Sequence, residues 1–108
     1  MNKIAELNDK LRKNLFTPGQ NQVFISHGVN SLPYLERARL LDKVQNFNDF
    51  NKANDPYKEH DFARIEHRGI NYLFKIDYYN LDMDAGSENP ADETITTRVL
   101  TIMRADEY

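Results

Sequence analysis

The stretch NDPYKEHDFARIEHRGINYLFKIDYYN, residues 54–80, decides the fold of this chain. It holds two of the three histidines and six of the twelve Phe and Tyr side chains. His67-Arg68-Gly69 separates two runs rich in apolar residues, and a short connection that contains Gly is typical of a β-hairpin. The stretch therefore predicts a polar loop that leads into two paired strands, residues 61–67 and 70–79.

The second of these strands has one face that we expect to lie in the core. Alternate residues of a strand point to the same side, so five apolar or aromatic side chains share that face. They are Ile70, Tyr72, Phe74, Ile76 and Tyr78. The opposite face, which includes Leu73, Lys75 and Asp77, is mixed in polarity.

The flanking segments predict two helices and two further strands. Leu7, Leu11 and Leu15 recur at helical spacing within residues 3–15, with Asn2 as the expected N-cap. A second helix is predicted over residues 33–47, and strands over residues 22–29 and 94–104. The order α-β-α-β-β-β predicts an α+β fold, with two helices packed on one face of a small, mainly antiparallel sheet.

Composition limits the class of protein. A length of 108 residues predicts a single domain, 1–108. The chain has no Cys, which excludes disulfides and thiolate chemistry. No apolar run approaches the length of a membrane span, and the first ten residues are too charged to predict a signal peptide. We therefore expect a cytoplasmic protein with no membrane association.

The charge is unevenly distributed along the chain. The net charge of −3 is the sum of three segments: seven Lys and Arg against four acids in residues 1–45, five against six in residues 46–79, and two against seven in residues 80–108. No basic stripe is present, so direct nucleic-acid binding is not predicted. The acidic end can attract a basic surface on a partner, or it can be a solvated loop.

Glu59-His60-Asp61 is the densest cluster of groups that could carry chemistry. An imidazole oriented by a carboxylate can act as a general base, and the same groups can bind a divalent metal. On an extended chain, however, Glu59 and Asp61 share a face that excludes His60. The simpler hypothesis is therefore that these side chains cap backbone N–H groups of the loop. The alternative hypothesis is a small acid/base or metal-dependent enzyme that uses these three residues with Asp77.

The acidic segment NLDMDAGSENPADE, residues 80–93, is only superficially similar to a Ca²⁺ loop. Its glycine falls at the fifth position of the candidate loop, not the sixth, and Pro90 interrupts the ligand pattern. We predict no metal and no cofactor. A solvated loop, or an acidic surface that occupies a nucleic-acid channel on a partner, explains the segment better.

Several short segments together resemble a known family. They are NDPY (54–57), EHDF (59–62), KIDYY (75–79), RVLTIM (98–103) and the final EY. The pattern is similar to a family of small bacterial proteins, often carried on plasmids and other mobile elements, that is classed as a domain of unknown function. This chain has Lys58 where Gly is commoner in that family. The resemblance transfers no catalytic residue, but it implies a context in which small proteins often inhibit host defence.

The sequence thus favours an interaction protein. We expect a mobile-element accessory protein that binds a host protein or ribonucleoprotein complex, as anti-CRISPR inhibitors do. The expected contact surface combines the polar loop, the end of the following strand and the acidic segment. Its residues are Asp55, Tyr57, Glu59, Asp61, Tyr79, Asp82, Asp84 and Glu88.

Overall fold

The computed structural model describes residues 2–108. Its elements, in chain order, are α1 (Lys3–Lys13), β1 (Gln22–Ile25), α2 (His27–Asn30), α3 (Tyr34–Asn46), β2 (Phe62–His67), β3 (Ile70–Tyr79), β4 (Thr97–Arg104) and a final 3₁₀ turn, Ala105–Glu107. None of the helices between residues 2 and 108 combines the length and the apolar character needed to cross a membrane.

The four strands form one sheet in the order β1-β4-β3-β2. β3 pairs antiparallel with β2 and β4, while β1 is parallel to β4 at the edge. The β2–β3 hairpin turns at Arg68 and Gly69, whose φ angles of 52° and 79° are those of a tight two-residue hairpin turn. The predicted α+β class and mainly antiparallel sheet are confirmed.

The helices cover one side of the sheet, which we call the helix-covered face. Tyr72, Phe74 and Ile76 lie on it with 1%, 0% and 3% of their surface exposed. They join side chains of β4 and of all three helices in one core, among them Leu11, Val29, Leu40, Val44, Leu100 and Ile102. Ile70, expected on this face, is 38% exposed because it begins the strand beside the turn.

The strand predicted over residues 22–29 was too long. β1 ends at Ile25, and the chain then turns into the short helix α2. Ser26 caps this helix by accepting a hydrogen bond from the N–H of Val29, and Glu107 accepts one from the N–H of Gly28 at 2.9 Å. The second contact comes from the far end of the chain, so local sequence could not reveal it. The last strand likewise begins at Thr97, three residues later than predicted.

The other side of the sheet, the open face, is not covered by any of the three α-helices within residues 2–108. Leu73 lies on this face and is nonetheless fully buried. The final 3₁₀ turn packs against β3, and the Tyr108 ring lies 6.2 Å from that of Phe62. The C-terminal residues therefore shield part of the open face.

Phe74→Ala tests the position of the core. Phe74 is fully buried on the central strand, so its truncation should lower the free energy of unfolding by about 3–5 kcal/mol. Phe24→Ala is the matched control, since Phe24 is 53% exposed on β1 and should cost less than about 1 kcal/mol. Urea denaturation of both variants measures the difference, and equal losses would contradict the assigned core.

Candidate functional site

The polar loop, residues 54–61, folds around the carboxylate of Asp55. This side chain is 6% exposed, and its Oδ1 accepts hydrogen bonds from the backbone N–H groups of Glu59 at 3.0 Å and His60 at 3.1 Å. Lys58 and His60 adopt φ angles of 59° and 58°, a left-handed conformation that Gly reaches without strain. Asp55 therefore shapes the loop from inside, and its side chain offers little surface for the expected contact with a partner.

His60 takes its partners from helix α1 and from Asp55. Its Nδ1 lies 2.9 Å from Oδ1 of Asp9, and its Nε2 lies 3.6 Å from Oδ2 of Asp55. The ring stacks on Phe50 with centroids 4.0 Å apart and planes 4° from parallel. His60 thus joins the polar loop to α1 and, through Phe50, to the segment that precedes the loop.

Asp9 connects this histidine to a buried arginine. Arg12, 1% exposed, donates to Oδ1 of Asp9 at 2.9 Å. The same guanidinium donates to the carbonyls of Val44 at 2.9 Å and Phe47 at 2.7 Å, which lie at the end of α3. A cation at a helix C-terminus donates hydrogen bonds to the free carbonyl groups there, and it is attracted by the partial negative charge at that end of the helix dipole. Arg12 therefore fixes α1 against α3.

A second network joins the loop to the sheet. The Tyr78 hydroxyl donates to Oε1 of Glu59 at 2.8 Å and accepts from Nδ2 of Asn8 at 2.8 Å. Asn8 also donates to the Glu59 carbonyl at 3.0 Å and accepts from Nε of Arg98 at 2.7 Å. Burial, followed by the hydrogen bond to Glu59, raises the pKa of Tyr78, so the phenol stays protonated and can donate.

Three of the four residues of the acid/base alternative are each bonded to a different partner. Glu59 is bonded to Tyr78 and His60 to Asp9, while Asp77 pairs with Lys75 on the open face of β3. Asp61 is half-buried, and burial is the main reason why its pKa is raised. Within residues 2–108, no three His, Asp or Glu side chains are grouped so that they could hold a metal ion. The arrangement suits loop bracing better than proton transfer.

The remaining predicted contact residues differ in exposure. Tyr57 is 80% exposed at the outside of the loop. Three acidic side chains are also exposed: Asp82, Asp84 and Glu88. Glu59, Asp61 and Tyr79 are partly buried.

The acidic loop, residues 80–93, is tied to the end of β3. A bridge pairs Tyr79 with Gly86, and the Ser87 N–H donates to the Tyr78 carbonyl at 3.1 Å. Asn80 holds Asp84 through a side-chain bond of 2.7 Å. Since Tyr78 also bonds Glu59, one strand end supports both loops.

Four residues that hold the site together were not predicted: Asn8, Asp9, Arg12 and Arg98. A signal for two of them existed, because Asn8 and Arg12 are one helical turn apart and adjoin the apolar stripe of Leu7 and Leu11. Arg98 is the second residue of β4 and directly precedes the apolar residues Val99 and Leu100. A polar residue within an apolar pattern indicates a buried hydrogen bond, but it does not name the partner.

The comparisons with known proteins give one match. The model of a protein family of unknown function, DUF3768, matches residues 25–107. The chain belongs to this family. Neither the curated proteins nor the solved structures gave a match. The matched DUF3768 residues begin at the end of β1, so α1, which supplies Asn8, Asp9 and Arg12, lies outside them.

Tyr78→Phe tests the second network. Removing the hydroxyl leaves the partly buried Glu59 carboxylate without its donor and takes one of three hydrogen bonds from the buried Asn8 amide, which should cost about 1–3 kcal/mol of stability. Tyr79→Phe is the control, since the Tyr79 hydroxyl makes no hydrogen bond within the described residues and should change stability by less than about 0.5 kcal/mol. Chemical denaturation measures both, and an unaffected Tyr78→Phe variant would show that the network does not stabilise the fold.

Asp61→Asn tests the burial of that carboxyl group. Because the pKa of Asp61 is raised above its ordinary value of 3.8, the unfolded chain ionises first as pH rises, and stability declines until the folded group ionises. The neutral amide avoids this loss. The variant should therefore be more stable than the parent at neutral pH, and the gain should disappear below about pH 3.8.

Unfolding curves recorded from pH 3 to pH 7 measure this difference. Asp82→Asn removes one negative charge at an exposed position and serves as the control. If Asp61→Asn gains the same stability at pH 3 as at pH 7, the gain comes from packing and not from ionisation.

Proposed function

We propose that this protein acts by binding another protein, with the polar loop and the acidic loop as its contact surface. The observation that carries the proposal is the loop tip, where Tyr57 is 80% exposed while the loop base is held by partly buried hydrogen bonds. Tyr is enriched among the residues that dominate binding energy at interfaces. A large exposed aromatic side chain on a braced loop suits recognition.

Bracing matters because ordering a loop upon binding costs free energy. Helix α1 holds this loop at three points: Asn2 bonds the Lys58 carbonyl at 2.8 Å, Asn8 bonds the Glu59 carbonyl, and Asp9 bonds His60. A loop that already has one conformation loses little freedom when a partner docks. The contacts therefore support binding by a preformed surface.

The acidic loop supports a partner with a basic surface. Asp82, Asp84 and Glu88 are exposed, and residues 80–108 carry two cations against seven acids. Negative charge attracts and orients a positively charged partner over distances of about 10 Å at 0.1 M salt. Proteins that bind nucleic acid present such basic surfaces.

The partner that fits this chemistry, and the resemblance to proteins of mobile elements, is a host defence complex that holds nucleic acid. In this proposal the chain is a mobile-element accessory protein that occupies a basic channel of a ribonucleoprotein, in the manner of an anti-CRISPR inhibitor. The acid/base alternative has no comparable support, because Glu59, His60 and Asp77 each have a separate partner.

A plasmid-interference assay tests this function. Cells with an active CRISPR–Cas system are transformed with a targeted plasmid, with and without expression of this chain. We expect expression to restore transformation, and Tyr57→Ala to weaken binding to the purified effector complex by about 30-fold, equivalent to loss of a contact of about 2 kcal/mol.

Tyr34→Ala is the matched control. Tyr34 is 76% exposed and begins α3, at the opposite end of that helix from the polar loop. Failure of the parent chain to protect the plasmid against a panel of defence systems would reject the inhibitor function. If the parent chain inhibits, but its Tyr57→Ala and Tyr34→Ala variants bind the effector complex equally well, the polar loop is not part of the interface.

A further inference from the structure

Arg98 is a buried cation that has no carboxylate partner. It is 1% exposed, yet it forms no salt bridge with any Asp or Glu in the described part of the chain. Arg is almost never fully buried unless it is paired, because removing a charge from water is costly. Desolvation accordingly lowers the pKa of Arg98, while the nearby Tyr78, Glu93 and Glu59 act in the opposite direction.

The hydrogen bonds of Arg98 leave part of its guanidinium free. Nε donates to Asn8 at 2.7 Å, Nη2 donates to the Pro90 carbonyl, and the group lies 5.2 Å from the centre of the Tyr78 ring. Nη1 donates to no residue between 2 and 108. Nη1 is not among the buried atoms that lack a partner, so its two N–H donors are accessible to a ligand.

Arg98 lines a cavity of about 330 Å³ that lies between α1 and the turn before β1. This volume falls within the range of small-molecule sites. Polar walls come from Lys10, Asn14 and Gln20, and apolar walls from Leu7 and Leu11. Gln20 is held in place because its amide donates to the carbonyls of Glu93 and Thr96.

The charges around the cavity define the ligand. Arg98 and Lys10 attract an anion, whereas Glu93 and the C-terminal end of α1 oppose a high negative charge. A monoanion satisfies both conditions, but a phosphate dianion does not. Arg matches the planar geometry of a carboxylate, and Leu7 and Leu11 favour a short apolar body.

From these observations we infer that the cavity is a binding site for a small monocarboxylic acid. The carboxylate accepts hydrogen bonds from the free arm of Arg98, Lys10 neutralises it at the rim, and the apolar body packs on Leu7 and Leu11. The cavity borders the acidic loop at Glu93, but its proposed ligand is a small molecule and not the partner protein. Its test therefore does not depend on whether a defence complex is the partner.

The test uses the full chain and follows the Nε–H signal of Arg98 by NMR while N-acetyl-leucine is added. We expect a saturable shift with a dissociation constant in the millimolar range, as one ion pair and a small apolar contact would give. N-acetyl-leucine amide, which lacks the charge, should leave the signal in place. Inorganic phosphate should bind more weakly than the carboxylate.

Variants at the rim avoid the risk that substitution of Arg98 itself unfolds the protein. Lys10→Gln should weaken binding about two- to fivefold, and Glu93→Gln should strengthen it by a similar factor, as expected for exposed charges. Lys13→Gln removes an exposed lysine of α1 that does not line the cavity, and it should leave the affinity unchanged.

If Arg98 had only a structural role, its Nε–H signal would not shift when N-acetyl-leucine is added, and the rim variants would have no binding to alter. Absence of a saturable shift, an equal response to the amide, or tighter binding of phosphate would overturn the inference. It would also be overturned if Lys10→Gln and Glu93→Gln both bound N-acetyl-leucine with the affinity of the parent chain.

Discussion

The rest of this structure depends on the hydrogen bonds that hold the polar loop to helix α1. Asn8 and Asp9, adjacent on the helix, bond Glu59 and His60, adjacent on the loop. The loop has two residues in the left-handed conformation, which costs free energy for residues other than glycine. The bonds to α1, with those to Asp55, offset that cost and hold one loop conformation.

The same helix also contains Arg12, whose buried positive charge lies against the C-terminal end of α3. Arg12 is satisfied by carbonyls, by Asp9 and by the faces of Phe50 and Phe74, 5.3 and 5.5 Å away. Arg98 is buried to a similar degree, but within residues 2–108 it forms no salt bridge with a carboxylate. The two cations therefore differ in charge pairing: Asp9 balances the charge of Arg12, whereas the charge of Arg98 can still attract an anionic ligand.

Ionisable groups that are crowded in the sequence have separate partners in the fold. Glu59, His60 and Asp61 are consecutive, but the first two bond residues of the sheet and of α1. The side chains of Glu59 and His60 thus connect different elements of the structure. A braced surface with an exposed aromatic side chain is a better description of what these residues produce.

The sequence by itself determined the secondary structure wherever the deciding contacts are local. Helical spacing of Leu7 and Leu11, the cap at Asn2 and the Arg68-Gly69 turn each act within a few residues, so α1, α3 and the hairpin were predicted nearly to their ends. The core face of β3 followed from alternation alone, at Tyr72, Phe74 and Ile76. Membership of a family of unknown function was also predictable, because it rests on sequence.

Only the tertiary structure decided the partners of the polar groups. His60 and Asp9 are 51 positions apart in the chain, and Arg98 and Asn8 are 90 apart. Periodicity reports which face a side chain occupies, but it carries no information about which distant segment packs there. The burial of Asp55, the early end of β1 and the unpaired charge of Arg98 all follow from such packing, and each appears only when the chain is folded.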